Sequence, residues 1–257
     1  MILVLGIDAA TWTVIRPNLD KLDAFRRLCG MGDCREMVLT EKPVSPLIWC
    51  GMFCGKTYAE HGHDSFVKDS NIVKREDIKV EFIWDILQKK GKKVAALNVP
   101  FVVPTYNFGT DFRPVGFGLP TNEKEWQAEL ELVTLKTVEL LKTDLDVVIS
   151  VYTLLDRVQH FHWGEDCVLD WYIKVDKKIG EIIFDSGFLS DKANSLILIS
   201  DHGFCSFGDA KVQTLPKETK EGTLKGDHHE NAVVITVNLD YVIQKPQDVF
   251  NAIVEIV

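Results

Sequence analysis

Short apolar runs alternate with amphipathic stretches along the chain. Ile2-Leu3-Val4-Leu5-Gly6-Ile7, Val147-Val148-Ile149-Ser150-Val151-Tyr152 and Leu196-Ile197-Leu198-Ile199-Ser200 carry almost no polar interruption, as expected of parallel strands covered on both faces. Further strands are predicted at 37–40, 93–99 and 232–237. Between them the period changes to that of helices. One is predicted over 19–29 and closed by Gly30. Another follows Ser45-Pro46 and stops before Gly55, and a third over 81–90 buries Phe82, Ile83, Ile86 and Leu87. Helices at 123–141, 166–185 and 247–257 complete the set. Residues 56–79, 105–121 and 204–231 lack periodicity and read as loops. This alternation predicts one α/β domain over 1–257, with a mostly parallel central sheet and helices on both faces in three layers.

Charge and composition narrow the function. The net charge of −9 is the wrong sign for broad nucleic-acid binding, which needs a basic face. It leaves room for a small anionic substrate held by cations. No apolar run is long enough for a membrane span, and the N-terminal run already carries Asp8, so it reads as a strand and not a signal peptide. The six cysteines form no CxxC pair and read as free thiols of a reduced, cytoplasmic setting. Cys50 and Cys54 lie four apart on one helical face, where they serve as small core residues.

The chemistry sits where the apolar runs stop. The first run delivers Asp8, and the run at 147–152 is followed by Asp156 and His160, four apart and so on one face of a helix. The run at 196–200 ends in Asp201-His202-Gly203, where Gly203 is expected to permit a sharp turn. In open α/β sheets ligands bind beyond the carboxyl ends of strands, so three strands handing carboxylates and imidazoles to one edge predict a metal centre. Ser45 caps a helix or, beside free backbone amides at the helix start, acts as a nucleophile. His61 and His63, in a turn, are left outside the site.

Taken in order, these motifs resemble one family. Gly6-Ile7-Asp8, Ser45-Pro46 followed by Trp49 and Gly55, His61-Gly62, Asp156-x-x-x-His160, Ser200-Asp201-His202-Gly203 and Gly226-x-His228 resemble the alkaline phosphatase superfamily, and within it the type I phosphodiesterase/nucleotide pyrophosphatase branch. The resemblance implies two divalent metal ions, zinc first, with manganese or iron as alternatives. Asp8, Ser45, Asp201 and His202 would hold one, and Asp156, His160 and His228 the other, with His228 preferred to His229 by the spacing from Gly226. It further implies Ser45 as nucleophile and a small phosphorylated substrate, a phosphodiester or nucleotide pyrophosphate. A phosphomonoester substrate and a catalytically inactive metal-binding relative are the alternatives. Phe66 stands where relatives carry an asparagine that binds phosphoryl oxygens. A sulfatase is set aside because Pro46 directly follows Ser45 and Trp49 stands where that family places an arginine.

Overall fold

The computed structural model describes residues 1–115 and 122–257, so 116–121 of the predicted 105–121 loop lie outside the described residues. The strands that matter are β1 (Ile2–Ile7), β2 (Asp33–Val38), β3 (Val94–Val99), β4 (Tyr106–Phe108), β5 (Val147–Tyr152), β6 (Ser195–Ile199), β7 (Gly203–Ser206), β8 (Gly226–His229) and β9 (Asn231–Val237). The larger helices are α1 (Asp23–Met31), α2 (Ser45–Cys54), α3 (Ile83–Lys89), α4 (Glu123–Leu141), α5 (Leu154–His162), α6 (Asp166–Gly180) and α7 (Gln247–Ile256).

Seven strands form one sheet in the order β2-β9-β6-β1-β5-β3-β4. β1 lies parallel to both β5 and β6, and β5 parallel to β3, while β9, β2 and β4 enter by antiparallel pairing. The three strands predicted to deliver ligands are therefore adjacent. With Ile7 opposite Tyr152 and Gly6 opposite Ile199, their carboxyl ends open side by side.

Alternation along β1 sorts the core into two layers. Leu3, Leu5 and Ile7 pack with residues of α1, α4 and α6, and Ile2 and Val4 pack on the opposite face with residues of α2, α3 and α7. Every residue of α2 is buried, Ser45 included, so this helix is apolar all round and is locked in place.

The structure shifts several predicted elements. Gly30 lies within α1, and the capping position passes to Gly32. The second strand begins four residues earlier than predicted, at Asp33, because it pairs with β9 from Asp33 to Val38. The loop at 56–79 contains a short helix at Tyr58–His61, and the long loop at 204–231 is bounded by the antiparallel pair β7 and β8. Cys29 and Cys34 form a disulfide, which corrects the reading of all six cysteines as free thiols. The turn between α1 and β2 brings their Cα atoms within 5.3 Å, a proximity hidden from the sequence by the misplaced helix end. Cys50 and Cys54 are free and buried, as expected. No described helix is long and apolar enough to cross a membrane.

Two glycines act through close approach. A Cβ on Gly203 would lie 2.2 Å from the Asn231 carbonyl oxygen, so this glycine admits a neighbouring strand and is not the sharp turn predicted for it. A Cβ on Gly6 would lie 2.6 Å from Cη2 of Trp49 and 2.9 Å from Cγ2 of Val151. Gly6 thus lets Trp49, one turn along α2 from Ser45, seat against the sheet. Gly6→Val is expected to destabilise the protein by roughly 1–3 kcal/mol through overpacking, measured by urea denaturation; an unchanged midpoint would show that α2 does not rest on this contact.

Candidate metal centre

Strand ends deliver three of the predicted site residues directly. Asp8 follows β1 directly, and Asp201 and His202 follow β6. After β5 the chain passes Thr153 and enters α5, whose first turn carries Asp156 and whose next turn carries His160 on the same face. His228 arrives from the far end of the chain by strand pairing. In the β7–β8 ladder His228 lies opposite Phe204, two residues beyond His202, and the His202 and His228 rings stack with centroids 3.7 Å apart. Ser45 is the first residue of α2, and its hydroxyl lies 3.4 Å from Asp8 Oδ1 and 3.4 Å from His202 Nε2. All seven predicted residues are thereby brought together. His229 turns away to contact Glu230, and the buried His63 contacts the Phe101 carbonyl at 2.6 Å.

The imidazole tautomers follow from their outer contacts. Nδ1 of His160 lies 3.2 Å from the Gly226 carbonyl oxygen, Nδ1 of His202 3.0 Å from that of Gly203, and Nδ1 of His228 2.6 Å from that of Pro43. A carbonyl only accepts, so each Nδ1 carries the hydrogen, and a ring in its neutral form presents a lone pair at Nε2. These lone pairs converge on other acceptors. His160 Nε2 and His228 Nε2 are 3.0 Å apart and lie 3.2 and 3.1 Å from Asp156 Oδ1. His202 Nε2 is 3.3 Å from Asp201 Oδ2 and 3.7 Å from Asp8 Oδ1.

Acceptors that face one another at such distances repel unless positive charge lies between them. Asp156 Oδ1 and Asp201 Oδ2 are both buried without a hydrogen-bond donor. Asp156, His160 and His228 form one group, and Asp8, Asp156 and His202 another, with ligand atoms in each group all within 4.8 Å of one another. Carboxylate oxygens and imidazole nitrogens in this arrangement suit zinc or a similar first-row divalent ion. The residues therefore fit the cations implied by the resemblance.

Proton affinities differ between the two ends of the cluster. Burial, together with the charges of Asp201 and Asp156, pushes the Asp8 carboxyl well above its ordinary range. Burial also lowers His202 to about 4, so its ring is neutral at pH 7. Asp156 behaves oppositely: burial would raise it, but His160 and His228 hold it well below the usual range, and although burial alone would lower His228, its contact with Asp156 raises it.

The site opens on a cavity of about 430 Å³. Ser45, Asp8, Asp156, His160 and His228 line one end, and Val44, Pro46, Phe66, Val102, Pro104 and Leu215 form apolar walls. The helix start offers less than its position suggests. Pro46 has no amide hydrogen, and the Leu47 and Ile48 amides both return to the Val44 carbonyl, which leaves the Ser45 amide for a ligand.

Sequence reasoning missed a second layer. Asp227 is fully buried, accepts from the His228 amide at 2.8 Å and from the Thr214 amide at 3.1 Å, and so fixes the strand that carries His228. Glu129, Thr153, Asn98 and Arg157 form a buried polar network beside the cavity. The signal for Glu129 lies in α4, where a carboxylate sits between Trp126 and Val133 on the inward stripe. Burial lowers Arg157 to about 10, which leaves it charged at neutral pH. A further group, His162, Glu165 and Cys167, lies towards the surface, where Lys225 already pairs with Glu165.

Comparison with solved structures gives the same architecture. Phosphonoacetate hydrolase from Sinorhizobium meliloti 1021, in complex with phosphonoformate, matches with a TM-score of 0.69 at 12% identity, covering 99% of this chain and 95% of that one. Murine ectonucleotide pyrophosphatase/phosphodiesterase 5, in an inactive form with AMP, matches with a TM-score of 0.67 at 12% identity, covering 99% and 94%. No curated protein matches by sequence. The family model for type I phosphodiesterase/nucleotide pyrophosphatase matches residues 2–255, and the chain belongs to that family.

Proposed function

We propose that this protein is a two-metal-dependent hydrolase that cleaves phosphodiester or nucleotide pyrophosphate bonds through a covalent phosphoseryl intermediate on Ser45. The observation that carries this reading is the placement of the Ser45 hydroxyl between Asp8 and His202, in a cavity also lined by Asp156, whose buried Oδ1 lacks a donor. Family membership and the small phosphorylated ligands of the two structural relatives support it.

Asp8, Ser45, Asp201 and His202 would hold one cation, and Asp156, His160 and His228 the other. Bound there, the cations would lower the pKa of the Ser45 hydroxyl and neutralise charge developing on the phosphoryl oxygens. In the resting protein Asp8 Oδ1 accepts the Ser45 hydroxyl hydrogen at 3.4 Å and so aims Oγ along the cavity. The buried N-terminus of α2 fixes Oγ against recoil. Attack by Oγ on phosphorus forms the phosphoseryl ester as the bond to the leaving oxygen breaks, and that oxygen departs with the bonding pair and takes up a proton. Water then cleaves the ester and regenerates the hydroxyl. The apolar cavity walls, Phe66 and Leu215 among them, suit an aromatic or nucleoside group on the substrate.

Ser45→Ala is expected to lower kcat by roughly a thousandfold or more while zinc content, read by elemental analysis, is largely kept by the remaining ligands; near-full turnover would exclude Ser45 as nucleophile. A bis-aryl phosphate diester is expected to show higher kcat/KM than the matching monoester. The reverse preference would reassign the enzyme as a phosphomonoesterase.

A further inference from the structure

Arg157 follows the predicted ligand Asp156 on α5 and lines the same cavity as Ser45. Its side chain is 6% exposed. One terminal nitrogen, Nη2, pairs with Glu129 and donates to Thr153 Oγ1 at 3.0 Å. Nε is buried and has no hydrogen-bond partner. A buried guanidinium thus stands in the wall of the cavity with its Nε donor unused.

The bland account is that Arg157 merely balances Glu129. Glu129 does tie strand ends together, accepting from the Thr153 amide at 2.5 Å and the Thr153 hydroxyl at 2.9 Å, and lying 3.5 Å from Asn98 Nδ2. A neutral glutamine could accept from the same donors and would need no counter-charge. Buried ion pairs confer little net stability compared with apolar packing, so stability does not explain placing one beside the reacting end of the cavity. Glu129 does explain how the arginine is held: it fixes the planar fork and offsets its charge. Asn98, the other polar amide in this wall, is already committed, donating to the Val151 carbonyl at 2.8 Å and accepting from Thr105 at 2.6 Å.

We propose that Arg157 binds a non-bridging oxygen of the phosphoryl group undergoing transfer, positioned for it by Glu129 and Thr153. The ligand class is a tetrahedral phosphoryl oxyanion, substrate ester or product orthophosphate. The assignment rests on the hydrolase reading for its substrate, but its test does not use turnover.

Inorganic phosphate titrated calorimetrically into zinc-loaded protein is the probe. Wild type and Ser45→Ala are expected to bind it. Arg157→Gln is expected to weaken binding by roughly ten- to a hundredfold, the range of a charge-assisted hydrogen bond, and Arg157→Lys to recover part of the loss. Should the single variant fail to fold, Glu129→Gln combined with Arg157→Gln removes both charges and leaves a neutral pair in their place. Unchanged phosphate affinity in a folded variant lacking the guanidinium, or no binding by wild type, would overturn the assignment. Failure of the hydrolase reading would appear separately, as absent turnover with phosphate binding intact.

Discussion

Acceptors crowded against acceptors govern this structure. Three imidazoles tethered by their Nδ1 hydrogens to backbone carbonyls turn their Nε2 atoms towards buried carboxylates, at separations of 3.1 to 3.7 Å. An unsatisfied buried polar group costs about 1–3 kcal/mol, more when it is charged, and here several converge. Cations bound as proposed would relieve this crowding, and the surrounding elements fix the geometry in which they would enter.

Topology supplies most of that geometry. Parallel pairing of β1 with β5 and β6 puts three strand ends side by side, so residues far apart in sequence share one crevice. His228 depends on a different device, the antiparallel β7–β8 ladder that returns the chain beside His202. The nucleophile candidate depends on a third, because Ser45 sits at the end of a helix seated on the sheet through Trp49 and the missing side chain of Gly6. Each device is local, and together they hold side chains from five segments within one site.

Much of this was legible in the sequence because the physics is local. Uninterrupted apolar runs gave the buried strands, and the carboxylate or histidine that ended each marked the crevice. The α5 pair, Asp156 and His160, followed from helical spacing alone. What was not legible needed a partner strand or a tertiary contact. Gly203 looked like a turn because its crowding by the Asn231 carbonyl is invisible in sequence. The Cys29–Cys34 link depended on a helix ending at Met31 and a strand beginning at Asp33. Glu129 and Arg157 are helix charges that only the packing of α4 and α5 buries together.

The number of zinc ions bound per chain, measured by elemental analysis after loading and removal of excess metal, tests the central claim most directly. Two ions per chain are expected, because the facing acceptors form two groups that share Asp156. One ion or none, in a protein that is folded, would contradict it.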